Sequence, residues 1–155
     1  MNQEFMREAI RLSQENMEKN AGGPFGAVIV KDGKIVGKWR NKVTSTNDPT
    51  AHAEMVAIRD ACQNLKTFEL NWCELYTSCE PCPMCLGAIY WARFDKVYYG
   101  NTKEDAADIN FDDQYIYEEL DRPLDKRNLP MQKLLREEAI KVFQKWAEKE
   151  DKVLY

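Results

Sequence analysis

The chain has 155 residues, of which 44% are hydrophobic and 31% charged, and its formal net charge is −4. This length predicts one domain with room for a hydrophobic core. The negative net charge and the lack of a long basic run disfavour a protein that mainly binds a polynucleotide, and favour a small-molecule substrate. No apolar run approaches the roughly 20 residues of a membrane-spanning helix, so we expect no membrane partner.

The cysteines indicate a reducing compartment. There are five, an odd number, and Cys79, Cys82 and Cys85 are closely spaced. This spacing favours metal chemistry over a disulfide framework. Cys62 and Cys73 lie in apolar settings typical of buried packing thiols. Because the N-terminal residues are charged and amphipathic rather than arranged as a secretory signal, we expect a cytoplasmic protein.

The first forty residues alternate between helical and strand patterns. Apolar residues near the helical period predict an amphipathic helix, and a breaker cluster at residues 20–24 ends it. Asp32-Gly33 predicts a two-residue hairpin turn between two strands. The expected segments are a helix over residues 3–19, a strand over 25–31 and a strand over 34 to about 40.

The middle of the chain carries helix-start signals. Residues 42–49 are polar and predict a loop, whose last pair offers Asp48 as an N-cap and Pro49 as the first helical residue. Pro83 likewise fits the first turn of a helix. The expected segments are a helix over residues 49–65, a strand over 74–78, a helix over 83–93 and a strand over 96–100.

The pattern is weaker near the C-terminus. Residues 103–108 predict a short helix, residues 111–121 are acidic and aromatic without a clear period, and 129–135 predict an edge strand. Residues 136–150 predict an amphipathic helix. The alternation of helices and strands along the whole chain predicts an α/β fold, with a mixed sheet covered by helices.

Two short motifs carry the chemistry. His52 and Glu54 form an H-x-E motif, and Cys82 and Cys85 lie one helical turn apart in a P-C-x-x-C motif. One nitrogen and two sulfur ligands suit zinc and leave the fourth tetrahedral position open. This pair of motifs is the signature of zinc-dependent nucleobase deaminases.

Glu54 distinguishes a catalytic zinc site from a structural one. As a catalytic group it would take a proton from water activated by zinc and deliver it to the substrate ring and the leaving amine. The alternative is a carboxylate stabilised by the helix dipole. Cys79 leaves two further alternatives open. One is a closed zinc site with this thiol as the fourth ligand. The other is an iron–sulfur site, which would need a fourth cysteine after Cys85 that the sequence does not contain.

Four other side chains are candidates for holding a flat heterocycle. Asn41 offers both a donor and an acceptor, with a turn residue as the alternative. Phe25 and Trp91 can flank a ring, although either can equally belong to the core. Asp113, in the acidic pair at 112–113, can accept from purine N–H groups, and its alternative is a solvated loop or a helix cap.

Several stretches together resemble the bacterial guanine deaminase family, in the cytidine-deaminase-like superfamily. The resemblance covers most of residues 1–117, resumes at the C-terminal helix and is weakest over 118–135. The stretches that carry it are residues 23–30, 47–54, 77–93 and 111–113, with the terminal Tyr155.

The resemblance implies hydrolysis of guanine to xanthine and ammonia by one zinc ion per subunit. It assigns His52, Cys82 and Cys85 as zinc ligands and Glu54 as the proton shuttle. It further implies that Asn41 and Asp113 hold the purine and that Tyr155 closes over the site.

The resemblance also implies an architecture: a three-layer α/β/α sandwich about a five-stranded sheet, forming one deaminase domain over residues 1–155. In this family the C-terminal segment, here about residues 136–155, is exchanged between two subunits. We therefore expect a homodimer.

Three competing functions stay open. Transfer RNA adenosine deaminases share both motifs, but the net charge of −4 makes a nucleic acid partner unattractive. Guanosine or another nucleoside differs from guanine only by a ribose that one pocket wall can admit or exclude. A structural zinc module is the alternative without an enzymatic function.

Overall fold

The computed structural model describes residues 2–155 and divides them into two compact units, with Gln114 as the first residue of the second unit. The elements of the first unit are α1 (Gln3–Glu18), β1 (Gly26–Lys31), β2 (Lys34–Arg40), α2 (Val43–Thr46), α3 (Ala53–Leu65), β3 (Cys73–Cys79), α4 (Pro83–Ala92), β4 (Lys96–Asn101) and α5 (Lys103–Asp108). The second unit contains α6 (Gln114–Asp121), a 3-10 turn (Leu124–Lys126) and α7 (Arg136–Glu148).

The first unit is built on a mixed sheet with strand order β2-β1-β3-β4. Strand β1 pairs antiparallel with β2 and β3, whereas β3 and β4 are parallel. The hairpin turn at Asp32-Gly33 is confirmed, since both residues have positive φ as a two-residue turn of this hand requires. The predicted α/β fold with a mixed sheet is therefore confirmed.

Strand β1 separates two hydrophobic cores because its side chains alternate between the faces of the sheet. Ala27 and Ile29 belong to the core shared with α3 and α4. Val28 and Val30 belong to the core shared with α1. Helices thus cover both faces of the sheet.

Helix α3 begins later than the sequence indicated. The expected start at Pro49 is wrong, because the Asp48 carboxylate accepts from the Thr50 backbone N–H at 2.8 Å and closes a turn there. His52 is still extended, with φ −63° and ψ 157°, and the helix starts at Ala53. His52 is therefore the N-cap residue, and the preceding loop, expected over residues 42–49, contains the single-turn helix α2.

The five-stranded sheet is also wrong: the described residues form a sheet of four strands. Residues 129–135, the expected edge strand, are irregular. Pro130 cannot donate a ladder hydrogen bond, and Leu135 has φ 52°, a left-handed conformation that interrupts an extended chain.

The second unit contains a helix that the sequence pattern did not indicate. Helix α6 has only eight residues, and its apolar Ile116 and Leu120 form a single i, i+4 pair. Periodicity needs a window of about 11–18 residues to be recognised. None of residues 114–155 is buried in the single chain.

Among the described residues, every helix is too short or too polar to cross a bilayer.

Candidate active site

Two helix N-termini bring the candidate metal ligands together. His52 is the N-cap residue of α3, and Cys82 is the N-cap residue of α4, with φ −64° and ψ 168°. Cys85 follows in the first turn of α4, where Pro83 occupies the start of the helix. Because a helix N-terminus carries partial positive charge, the positions of Cys82 and Cys85 favour the thiolate form of both side chains.

The distances within this group fit zinc. His52 Nδ1 lies 3.5 Å from Cys82 Sγ and 3.6 Å from Cys85 Sγ. The three ligand atoms lie within 4.8 Å of one another. Tetrahedral zinc, with bonds of about 2.0–2.1 Å to nitrogen and 2.3 Å to sulfur, places such atoms about 3.6 Å apart. The donor set and its spacing therefore suit a zinc ion with one open position.

The three candidate ligands differ in how their surroundings shift their pKa values. Hydrogen bonds from Cys85 and His52 hold the pKa of the Cys82 thiol at about 4. The hydrogen bond to Cys82 and burial raise the pKa of Cys85, and the hydrogen bond to Cys82 raises that of His52. Metal binding requires both sulfurs as thiolates and a neutral imidazole, so it must release protons.

Glu54 lies beside the ligand group and is buried, with a side chain only 5% exposed. Its Oε2 accepts from Cys85 Sγ at 3.5 Å, and its Oε1 accepts from the Thr77 hydroxyl at 2.8 Å. Burial raises the pKa of this carboxyl. A buried carboxylate held next to the candidate metal ligands is suited to moving a proton.

Thr77 is a residue that sequence reasoning missed. It is fully buried on β3, and its hydroxyl orients the Glu54 carboxylate from across the core. The feature of the sequence that could have drawn attention to it is a threonine inside a predicted strand that leads directly into the cysteine motif. Nothing local in the sequence connects it with a glutamate 23 positions earlier.

Asn41 is buried directly after β2, and hydrogen bonds to both its backbone and its side chain hold it in place. Its N–H donates to Phe25 O at 3.0 Å, and its side-chain Oδ1 accepts from the Val43 N–H at 3.1 Å. Because Oδ1 is used in this way, the amide NH₂ is the group that Asn41 can offer a ligand.

Phe25 contacts the segment that carries the acidic pair. Its ring meets Phe111 edge to face, with centroids 4.9 Å apart. Asp113 follows two residues later and is partly buried. Burial and the Cys82 thiolate raise the pKa of the Asp113 carboxyl, which therefore lies within the electrostatic field of the ligand group.

Two predicted substrate contacts have exposed side chains in the single chain. Trp91 is 68% exposed on α4, whose buried side carries Cys85 and Ile89. Tyr155 belongs to the second unit and is 73% exposed.

The other cysteines do not join the ligand group. Cys79 is buried, its thiol donates to Thr102 O at 3.6 Å, and burial raises its pKa to about 11. Among the described residues, the ligand group contains His52, Cys82 and Cys85 without it. Cys73 is buried and Cys62 packs against the core, as expected of packing thiols.

A family model of the cytidine and deoxycytidylate deaminase zinc-binding region matches residues 1–101. The chain belongs to this family of zinc-dependent deaminases. It is similar to guanine deaminase of Bacillus subtilis (strain 168), with 52% identity over 147 residues and 94% of each chain covered. The expected resemblance to bacterial guanine deaminases is thereby confirmed.

Solved structures and a second relative extend this comparison. The X-ray structure of guanine deaminase from Bacillus subtilis superposes with a TM-score of 0.96 at 50% identity, covering 100% of this chain and 99% of that chain. A tRNA-specific adenosine deaminase of Aquifex aeolicus (strain VF5) is 46% identical over 95 residues, covering 61% of this chain and 62% of that protein.

Proposed function

We propose that this protein hydrolyses guanine to xanthine and ammonia. The observation that supports this chemistry is the position of the buried Glu54 carboxylate. It lies 3.5 Å from Cys85 Sγ, and Cys85 belongs to a group of three candidate ligands whose spacing suits zinc. The similarity to a guanine deaminase over 94% of the chain supports guanine as the substrate. One water is consumed, and the exocyclic amino group leaves as ammonia.

We assign His52, Cys82 and Cys85 as ligands of one zinc ion per subunit. When bound, zinc supplies a hydroxide-like nucleophile from water near neutral pH. The thiolates suit this ion because soft sulfur donors favour zinc over harder cations. Residues of the chain must then supply the proton transfers and hold the purine.

Glu54 is assigned as the proton shuttle. Its carboxylate accepts one proton from the attacking water and gives it to a ring nitrogen. It then accepts the second proton from the new hydroxyl group on the ring carbon and gives it to the leaving amine. Thr77 holds one carboxylate oxygen at 2.8 Å, so the other oxygen, beside Cys85, faces the reacting group. Because the site excludes bulk water around a buried carboxylate, the proton stays between enzyme and substrate.

Asn41 and Asp113 are assigned to recognition of the purine edges. The Asn41 NH₂ group donates to a purine oxygen or nitrogen acceptor, because its oxygen already accepts from Val43. The Asp113 carboxylate accepts from purine N–H groups. Guanine presents both kinds of group, and adenine lacks the ring N–H beside the reacting carbon. Phe25 is assigned as a flanking aromatic side chain.

The second unit supports a proposed homodimer. Residues 114–155 carry large apolar side chains that a single chain leaves exposed, among them Leu129 at 71%, Leu134 at 84% and Phe143 at 73%. A segment of this length cannot bury a core alone. We propose that about residues 136–155 are exchanged between two subunits, so that Tyr155 closes over the partner's substrate site. Trp91 is proposed as a further aromatic side chain that flanks the substrate. Each 155-residue chain is then one deaminase domain.

Adenosine in transfer RNA is the second candidate substrate. The 46% identity to the Aquifex aeolicus enzyme favours this candidate, but that similarity extends over only 61% of this chain. The net charge of −4 also gives little attraction to phosphates. A nucleic acid partner is therefore not part of the proposal. We place the enzyme in the cytoplasm because its five cysteines are unpaired.

Ammonia release from zinc-loaded protein tests the substrate. We would compare guanine, guanosine, adenine, cytosine, cytidine and a transfer RNA with an adenosine at the wobble position. Turnover of guanine, at a rate at least a hundredfold above the others, is the expected result. Turnover of guanosine alone would contradict the assigned pocket, and turnover of transfer RNA alone would replace the proposal by the second candidate.

A further inference from the structure

Helix α1 buries one polar side chain. Its buried residues are Ala9, Leu12 and Asn16, which share one face at a spacing of three to four residues. The first two pack in the core against the sheet, whereas Asn16, at 0% exposure, lies at the end of this face beside the loop that precedes β1.

The Asn16 side chain acts only as a hydrogen-bond donor. Its Nδ2 donates to Gly23 O at 2.7 Å and to Asn41 O at 2.9 Å. Its Oδ1 is buried and has no hydrogen-bond partner among the described residues. Both N–H groups of the amide are therefore used, and the side chain ties α1 to two separate segments.

One of these segments ends in Asn41, and the peptide groups on both sides of this residue are held. The Asn41 N–H donates to Phe25 O, and its carbonyl accepts from Asn16. The Asn41 side chain then accepts from the Val43 N–H. With both flanking peptide groups and Oδ1 held, the Asn41 NH₂ group has one direction available.

Gly22 shows how closely these groups approach. A Cβ atom at this position would lie 2.7 Å from Asn41 O, 2.9 Å from Asn16 Nδ2 and 3.0 Å from Asn41 Oδ1. Real Cβ contacts are not this short, so only glycine fits. The Asn16–Asn41 contact is therefore part of a closely packed junction.

We infer that Asn16 is a positioning residue for substrate binding: it holds the Asn41 carbonyl, and with it the backbone at Asn41, so that the Asn41 side-chain amide points at the purine. This inference rests on the proposed function, in which Asn41 holds guanine. Asn16 itself contacts no substrate in this scheme. Its loss should weaken guanine binding and leave the zinc ligands and Glu54 in place.

The first experiment replaces Asn16 by leucine, which is similar in size but cannot donate. We expect Asn16→Leu to raise KM for guanine about tenfold, with kcat within about twofold and zinc content unchanged. Ser13→Ala is the matched control: it removes the bond from Ser13 Oγ to Pro24 O, at 2.6 Å, which ties α1 to the same loop without reaching Asn41. Its KM should stay within twofold.

The second experiment tests whether Asn16 acts through Asn41. In the Asn41→Ala background, Asn16→Leu should change KM by less than twofold, because the group it orients is gone. A tenfold rise in that background, or an equal rise for Ser13→Ala, would overturn the inference, since the effect would then belong to the loop in general.

A readout that needs no turnover separates this inference from the proposed function. Hydrogen exchange of the Val43 amide, measured by NMR, should accelerate at least tenfold in Asn16→Leu and not in Ser13→Ala. Wild-type protein inactive on guanine would refute the proposed function and leave this readout intact.

If Asn16→Leu does not fold, Asn16→Ser, which is too short to reach Asn41 O, serves instead. Unchanged KM and Val43 exchange in the folded variant would refute the positioning role.

Discussion

At the scale of single residues, Glu54 combines burial with contact to a candidate metal ligand. The Thr77 hydroxyl donates to one carboxylate oxygen at 2.8 Å, and the other oxygen lies 3.5 Å from Cys85 Sγ, so the carboxylate has a defined orientation in a buried site. A carboxylate serving only to stabilise the first turn of a helix would remain at the surface. This location is the reason for assigning Glu54 to catalysis.

We expect Glu54→Gln to lower kcat for guanine by about 10²–10⁴-fold, because an amide cannot carry the proton. Zinc content, measured by atomic absorption, should stay at the wild-type value. Glu74→Gln is the matched control: this carboxylate, on β3, likewise accepts from a hydroxyl group, that of Tyr76. Wild-type turnover in Glu54→Gln would remove this residue from the mechanism.

Thr77→Val tests the orientation of the same carboxylate. Removing a hydrogen bond to a charged group costs about 1.5–3 kcal/mol, so we expect kcat to fall at least tenfold with zinc retained. Ser78→Ala, which removes a buried bond from the Gly26 N–H at 3.0 Å, should lower stability without lowering kcat. Equal kcat values for the two variants would mean that Thr77 is structural.

At the scale of elements, close contact with the sheet determines where α3 lies. A Cβ atom on Gly37 of β2 would lie 2.7 Å from Ala57 O and 2.8 Å from Ala61 Cβ. The alanines of α3 at every fourth position thus allow the helix to approach the strand backbone. Because His52 and Glu54 occupy the start of α3, this packing also positions the site.

An ion-pair network joins α1 to β2 on the other face of the sheet. Glu8 accepts from Arg11 at 2.7 Å and from Lys38 at 2.8 Å, and the Arg11 hydrogen bond contributes most to lowering the Glu8 pKa to about 2. A pKa below the unfolded value of 4.5 means that this contribution to stability is complete above pH 4.5. It is lost as the pH falls toward 2.

We expect Glu8→Gln to lower the free energy of unfolding at pH 7 by about 1 kcal/mol, a modest value because both cations are about half exposed. Urea denaturation of both proteins at pH 7, 5 and 3 should show the difference shrinking only below about pH 4.5. Glu4→Gln, which affects an exposed pair with Arg7, should change little at any pH. A difference that stays constant down to pH 3 would contradict this interpretation.

At the scale of the whole molecule, residues 114–155 distinguish this chain from a minimal deaminase domain. None of them is buried in the single chain, and α7 exposes Phe143 at 73%. Apolar area of this kind is stabilised when a second copy covers it. This exposure is the observation on which the proposed exchanged dimer rests.

Mixed subunits test the exchange. If Tyr155 serves the partner's site, co-expression of Glu54→Gln and Tyr155→Ala chains should recover about a quarter of wild-type turnover, since half of the dimers are mixed and each has one intact site. Co-expressed Glu54→Gln and Asp113→Ala chains are the control: both residues belong to the first unit, so no recovery is expected. No recovery in either mixture would refute the exchange.

The amino-acid sequence alone determined the chemistry and most of the elements. The H-x-E and P-C-x-x-C motifs identify a ligand set by residue type and spacing, and the Asp32-Gly33 turn and Pro83 mark element ends through local backbone preferences. Each of these signals acts over a few neighbouring residues, which is why it can be recognised in a linear sequence.

Only the tertiary structure decided which side chains support the motifs and how many strands form. The contacts from Thr77 to Glu54 and from Asn16 to Asn41 join residues 23 and 25 positions apart, so no local pattern indicates them. The turn at Asp48 moved the start of α3 past His52 because side-chain bonding to Thr50 competed successfully with the expected helix start. Packing of distant segments, rather than local propensity, thus orients the candidate catalytic and binding groups.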